Sequence, residues 1–489
     1  MVDHLHPDQN GDLRGQDSLE SVRFSRLRDT PPELRSIAQE IEGISGAWNM
    51  VELCTPDREN LVQEKNAFLD AFLEDREYHP VFQYSRAEQC EYLQARKKLE
   101  ALLPRLRAVD VSDDAARLLS AALEAKILDD LATCDCIEGM RSRDERMIKD
   151  AVNRKYPPLE TELLEQEERE FAEAIALDPQ TMEGDLSGTD RTLLEQRQLS
   201  PEEIREAFVW ALDQYGLLNT GDSERGYKVL VSDTVQFIDV RHRSAEGPTI
   251  FIPAHSKRSL RDVLRLMRHE IEGHARQSAN GEALFGFGAG GITVDDETLY
   301  EGLAMRLETD FEDRHFGHQI DHSPRFYARA IQLAEQGASF GEIFRDQYRR
   351  MLHLALKIPL DQSLPSQISV QQAAHSRDAA WKTTYRIMRG HTDMRNPEAY
   401  ALRKDLAYSR GFKLDAALCK SNQGHLNEAA ILSPALLPLL RQLDLQPSDL
   451  PHPDKQVTEQ YLQKTLSDVH AMQRNTIQDQ TRSGLKETL

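Results

Sequence analysis

The sequence predicts an α+β chain that is mainly helical, with one small sheet packed on the helix that carries its chemistry. Three observations predict this. Apolar residues recur at helical spacing through much of residues 30–200, as in LLSAALEAKILDDLA and LETELLEQEEREFAEAIA, and helix returns after about 425. Three short β-branched and aromatic runs, YKVLV (227–231), VQFIDV (235–240) and TIFIP (249–253), are separated by turn-forming residues and read as a small antiparallel sheet. An amphipathic helix follows directly, and its second half holds two histidines around a glutamate.

Taken in order, residues 1–18 are polar and expected to be disordered. A helical region covers 19–199, opening at Thr30-Pro31-Pro32-Glu33, where threonine can cap and proline fits the first turn. The phrase EYHPVFQY (77–84) interrupts it with a turn and aromatics suited to core packing. A core region covers 200–425. Ser200-Pro201-Glu202-Glu203 is a capping box for a helix ending near Tyr215-Gly216. After the sheet, Ser259-Leu260-Arg261-Asp262 opens the central helix, with Leu260, Val263, Leu264, Met267 and Ile271 on the face toward the sheet. Asn280-Gly281 is expected to close it. Residues 426–489 form a helical extension with a linker at 448–454 and a frayed tail.

At 489 residues the chain is long enough for one large or two modest units. Its 60 basic against 82 acidic residues give a formal net charge of −22, which counts against nucleic acid or an anionic membrane as partner. Cys54, Cys90, Cys134, Cys136 and Cys419 are too few and scattered for a disulfide framework, and the CxC of Cys134 and Cys136 reads as ordinary helix. No signal-peptide core or membrane-length apolar run is present. The expectation is a soluble, cytoplasmic protein.

The chemistry concentrates in HEIEGH, His269 to His274, the ligand-and-base set of a zinc peptidase. Its HExxxH spacing is one residue longer than the usual HExxH. Residues i and i+5 of a regular helix point about 140° apart, so both histidines can reach one ion only through a π-type distortion. Gly273 is the residue type that tolerates one. A third ligand is expected downstream, and Glu301 of TLYEGLAMRLE (298–308) offers it at the start of an amphipathic helix. Glu308 is a candidate to orient a ligand from behind; Glu272 is expected to be solvated. A helix bearing such a motif after a small sheet is the layout of zincin-like, gluzincin-type peptidases. Two rival patterns carry less. His315, His318 and His322 fit a polar helical face, and Gly286-x-Gly288-x-x-Gly291 lacks a strand–turn–helix setting and reads as a loop.

HEIEGH followed by YEGLA closely resembles the bacterial flavohemoglobin expression-modulating QEGLA motif proteins, a family that includes microtubule-associated tyrosine carboxypeptidases. Tyr300 stands where that family usually has Gln, while Glu301, Gly302, Leu303 and Ala304 are kept. EYHPVFQY is similar to its N-P-x-F-x-Y phrase, with His79 for Asn, and residues 385–412 resemble its R-x-x-R-G and K-D-x-x-Y-x-x-G segment. The resemblance spans about 77–412. It implies His269, His274 and Glu301 as ligands of one Zn2+ per chain and Glu270 as general base. It further implies a carboxypeptidase that removes a C-terminal Tyr or Phe from peptides or proteins. Recognition of a free carboxylate needs a cation, assigned to Arg389 or Lys404, with Tyr408 as donor to the oxyanion. The alternatives are a non-catalytic binding protein on this scaffold, or an HExxGH dipeptidyl-peptidase or endopeptidase.

Overall fold

The computed structural model describes residues 31–486, apart from 46–49, 112–113, 177–183, 221–225, 236, 243–246, 286–295, 318–326, 396 and 443. It is mainly helical with little sheet. The expected disordered segment 1–18 and the Gly286–Gly291 pattern lie outside the described residues, as do His318 and His322. Among the described residues no helix is long and apolar enough to cross a membrane.

Two hydrophobic clusters hold the chain, and they interleave along it. The larger joins helices between residues 34 and 163 to those between 327 and 450. Aromatic rings tie its halves together: Phe68 packs edge-on against Phe340 with centroids 5.1 Å apart, and Phe82 approaches Trp381 at 6.2 Å. Phe82 and Tyr84 of the EYHPVFQY phrase are buried there, as core packing predicts. Tyr84 donates to the carbonyl of His391 at 3.0 Å and accepts from Gly390 N–H at 3.1 Å, joining residues about three hundred positions apart.

The smaller cluster contains the sheet. Strands β1 (Gln198–Leu199), β2 (Lys228–Ser232), β3 (Asp239–Arg241), β4 (Thr249–Pro253) and β5 (Arg258–Ser259) form two sheets. β1 and β5 pair antiparallel, and the other three run in the order β2-β4-β3. The expectation of an all-antiparallel sheet needs correction, because β2 pairs β4 in parallel and only β3 pairs it antiparallel. The strand read at 235–240 shortens to Asp239–Arg241. Ile250 and Ile252 of the central strand bury completely against the Pro201–Tyr215 helix and the helix that follows the sheet.

That histidine helix runs over residues 260–285 in three segments: α-helical Leu260–Leu266, π-helical Met267–Ala275 and α-helical Arg276–Phe285. Ser259 caps its start by accepting from Asp262 N–H at 3.1 Å. Leu260, Val263, Leu264, Met267 and Ile271 are all buried in the sheet cluster, as their spacing predicts. Asn280-Gly281 does not end the helix, which continues to Phe285. Asn280 is instead buried and binds a returning segment: its Nδ2 donates to Glu428 O at 2.9 Å, and its Oδ1 accepts from His452 N–H at 2.7 Å.

Against the histidine helix lies the carboxylate helix, Asp296–Phe316, and against that the helix Leu406–Lys420. The second of these crossings depends on missing side chains. A Cβ on Gly302 would lie 2.3 Å from Gly411 backbone, and one on Gly411 would lie 1.9 Å from Thr298 O. Neither glycine is needed for a left-handed turn; each lets two backbones touch.

Candidate metal centre

The π-segment does what the HExxxH spacing requires. One extra residue in the turn returns His274 to the side of His269, and their rings meet edge to face with centroids 4.7 Å apart. Gly273 has no positive φ. Its role is contact, since a Cβ there would sit 3.1 Å from Ala304 on the carboxylate helix.

Glu301 is brought to the same point. Its Oε2 lies 3.6 Å from His269 Nε2 and 3.8 Å from His274 Nε2. This oxygen is buried yet has no hydrogen-bond partner among the described residues, and neither has His274 Nδ1. An orphaned carboxylate oxygen facing two imidazole nitrogens is costly unless a cation completes it. Bonds of about 2.0–2.2 Å to one zinc ion put its ligand atoms roughly 3.3–3.5 Å apart, close to these separations. The donor set therefore fits Zn2+. Glu270 also offers an oxygen within 4.8 Å of nitrogens on both histidines, the only such group of three among the described residues. Both carboxylates thus stand at the two histidines, and Glu301 differs in having an oxygen left without a hydrogen-bond partner.

The electrostatics divide the roles. Burial, in a neighbourhood shared with Glu301, pushes the Glu270 carboxyl up to about 7. Burial works against a charged His269, but Glu301 and Glu308 outweigh it and raise its pKa well above the ordinary range. His274, buried with no such partner, is pulled well below it. Glu308 stands behind the site as the sequence suggests, 3.0 Å from His269 Nδ1 and itself bound by Arg265.

Glu272 is the clear correction. It is fully buried rather than solvated, paired with Arg268 and accepting from Thr458 N–H at 2.6 Å. His315 is buried too and lies 2.7 Å from a carboxylate oxygen of Glu459. That makes it a paired histidine of the helix face.

The remaining sequence candidates sit on one neighbouring wall. Arg389 and Arg386 both bind the buried Asp405, with Arg389 Nη2 3.3 Å from its carboxylate and Nε donating to Arg386 O at 2.9 Å. Arg389 is thus committed to the scaffold. Lys404 lies 3.7 Å from Glu297 and lines a polar cavity of about 80 Å3. Burial works against its charge, but Glu297 and Glu301 hold its pKa above the ordinary value. Burial likewise lifts the Tyr408 phenol, and the charge of Glu301 adds to it.

The sequence reading missed His242, Tyr227 and the part played by Tyr300. The Tyr300 ring stacks on His274 with centroids 3.5 Å apart and planes 10° from parallel. His242 bridges Tyr300 and Tyr227. A single histidine after a strand has no spacing to reveal it. Comparison with protein-family models and with curated proteins returns no match for this chain.

Proposed function

We propose that this chain is a zinc-dependent metallocarboxypeptidase with a zincin-like, gluzincin-type core, akin to the QEGLA motif proteins it resembles. The observation that carries the reading is the orphaned Glu301 oxygen facing His269 Nε2 and His274 Nε2, with Glu270 beside them. Zinc, when bound by His269, His274 and Glu301, supplies Lewis-acid polarisation of a substrate carbonyl.

The chain's own residues do the rest. Glu270, buried beside the two histidines, is placed to take a proton from the attacking water and return it to the leaving amine. Glu308 fixes the tautomer and plane of His269 by accepting from Nδ1–H. Lys404, rather than Arg389, receives the substrate's terminal carboxylate, because it meets Glu297 across 3.7 Å while Arg389 hydrogen-bonds both Asp405 and the Arg386 carbonyl. Tyr408, in the field of Glu301, donates to the developing oxyanion. The resemblance points to Tyr or Phe as the residue removed.

Protein purified without added zinc should contain about one zinc per chain, by analogy with three-ligand sites. It should shorten peptides ending in Tyr or Phe, but not their C-terminal amides. Glu270→Gln should keep the zinc and lose activity on the order of a hundredfold or more. A chain without zinc would sink the reading. Equal cleavage of acid and amide would convert it to an endopeptidase.

A further inference from the structure

A chain of polar groups behind the metal centre leads to an unspent donor. Tyr227 Oη lies 2.6 Å from His242 Nδ1, and His242 Nε2 lies 2.9 Å from Tyr300 Oη. Ser278, on the histidine helix, hydrogen-bonds the Tyr227 phenol. The other end, Tyr300, lies flat on His274 beside the carboxylates of Glu270 and Glu301.

The two distances give the chain a direction. A neutral imidazole has one donor and one acceptor nitrogen, and burial holds His242 neutral, with its pKa pulled down to about 4. Bonds donated by O–H are shorter than those donated by N–H, with modes of roughly 2.7–2.8 Å against 2.9–3.0 Å. The 2.6 Å contact therefore suits Tyr227 O–H donating to Nδ1, and the 2.9 Å contact suits Nε2–H donating to Tyr300 Oη. Tyr300 then accepts from His242 and keeps its own hydrogen. Among the described residues Tyr300 Oη has no other hydrogen-bond partner, and the side chain is only partly buried.

We propose that Tyr300 donates its phenolic hydrogen to the substrate carbonyl oxygen as negative charge develops there, its direction fixed by Tyr227 and His242. This rests on the peptidase reading and adds a second oxyanion donor beside Tyr408. The arrangement is preorganised, since the relay prevents Tyr300 from turning its hydrogen back into the protein. His242 and Tyr227 are positioning residues; Tyr300 is the catalytic one.

The decisive comparison is Tyr300→Phe, which keeps the ring on His274 and removes only the hydroxyl. Zinc content should be unchanged, KM should change little, and kcat should fall by on the order of 10²–10³. His242→Gln should keep zinc and lower kcat by less. A second measurement needs no turnover: in protein labelled with 15N-histidine, His242 should show a protonated Nε2 and a bare Nδ1, the signal being assigned by its loss in His242→Gln. The opposite tautomer would overturn the proposal, as would full kcat in Tyr300→Phe alongside a crippled Tyr408→Phe. Failure of the peptidase reading looks different. Wild-type protein would then cleave no peptide, and Tyr300 and Glu270 would fall together as catalytic residues.

Discussion

Glu167 shows how one buried carboxyl makes stability depend on pH. It sits among helices, accepting from Ser409 Oγ at 2.7 Å and from Ala328 N–H at 2.9 Å. Burial outweighs both bonds and pushes its pKa up to about 7, from an ordinary value of 4.5. The folded state thus binds a proton more tightly than the unfolded chain. The stability from this group is fully present below about pH 4.5 and is lost as pH rises through 7. Glu167→Gln carries the neutral form at every pH. It should match wild type near pH 4.5 and exceed it at pH 8 by about 1–3 kcal/mol, measured by urea denaturation at the two values. Lower stability of the variant at pH 8 would show that the ionised form is what the fold needs. At this scale the sequence is a partial guide. The meeting of His269, His274, Glu270 and Glu301 is readable, because these residue types at that spacing leave few other arrangements. Glu272 lies inside the same motif and is solvated on a sequence reading, because its local partner Arg268 would suit an exposed i,i+4 pair equally well and the Thr458 amide that meets it is remote in the chain.

Elements were legible wherever the signal was local. The capping box at Ser200, the left-handed Gly216 that ends its helix and the Ser259 cap all form as written. The π-segment was legible for a less usual reason: two ligands five apart can share an ion only if the helix gains a residue. The sheet was not fully legible, because a run of β-branched residues marks a strand and says nothing about its neighbour's direction. Gly302 beside Glu301 reads as a place where another backbone can come close, and one does, but YEGLA does not reveal that the backbone is that of Gly411. The contact with Gly411 makes a sharp expectation. Gly302→Ala should gain up to about 1 kcal/mol of helix propensity and lose more to overpacking, which costs about 1–3 kcal/mol or beyond against immovable backbone. Gly281→Ala is the control, because its Cβ would meet the Ala430 side chain at 3.0 Å rather than a carbonyl at 2.3 Å. Thermal melts should rank Gly302→Ala well below Gly281→Ala; the reverse order would refute the close crossing.

The whole molecule is closed by its C-terminal segment. Residues 448–454 are less a linker than a clamp: His452 binds Asn280 and Asp454 lies 3.7 Å from Arg268, and just beyond them Thr458 N–H reaches Glu272. Val457, Leu462 and Leu466 then complete the cluster behind the histidine helix. Burying three such side chains contributes about 1.5–3 kcal/mol each, a large share of a net stability of roughly 5–15 kcal/mol. A chain truncated after residue 450 should melt far lower and bind zinc at least about tenfold more weakly in a chelator competition. Unchanged zinc affinity would show that the clamp serves the fold alone.

The clamp also sets a clock. Glu272 and the Thr458 amide that satisfies it are 186 positions apart, so a ribosome adding roughly 5–20 residues per second finishes the second about 10–40 s after the first. Throughout that interval the histidines exist but the wall behind them does not. A growing chain therefore holds Glu272 buried-to-be without its amide partner, and the histidine helix keeps bare the apolar face that Val457, Leu462 and Leu466 later cover.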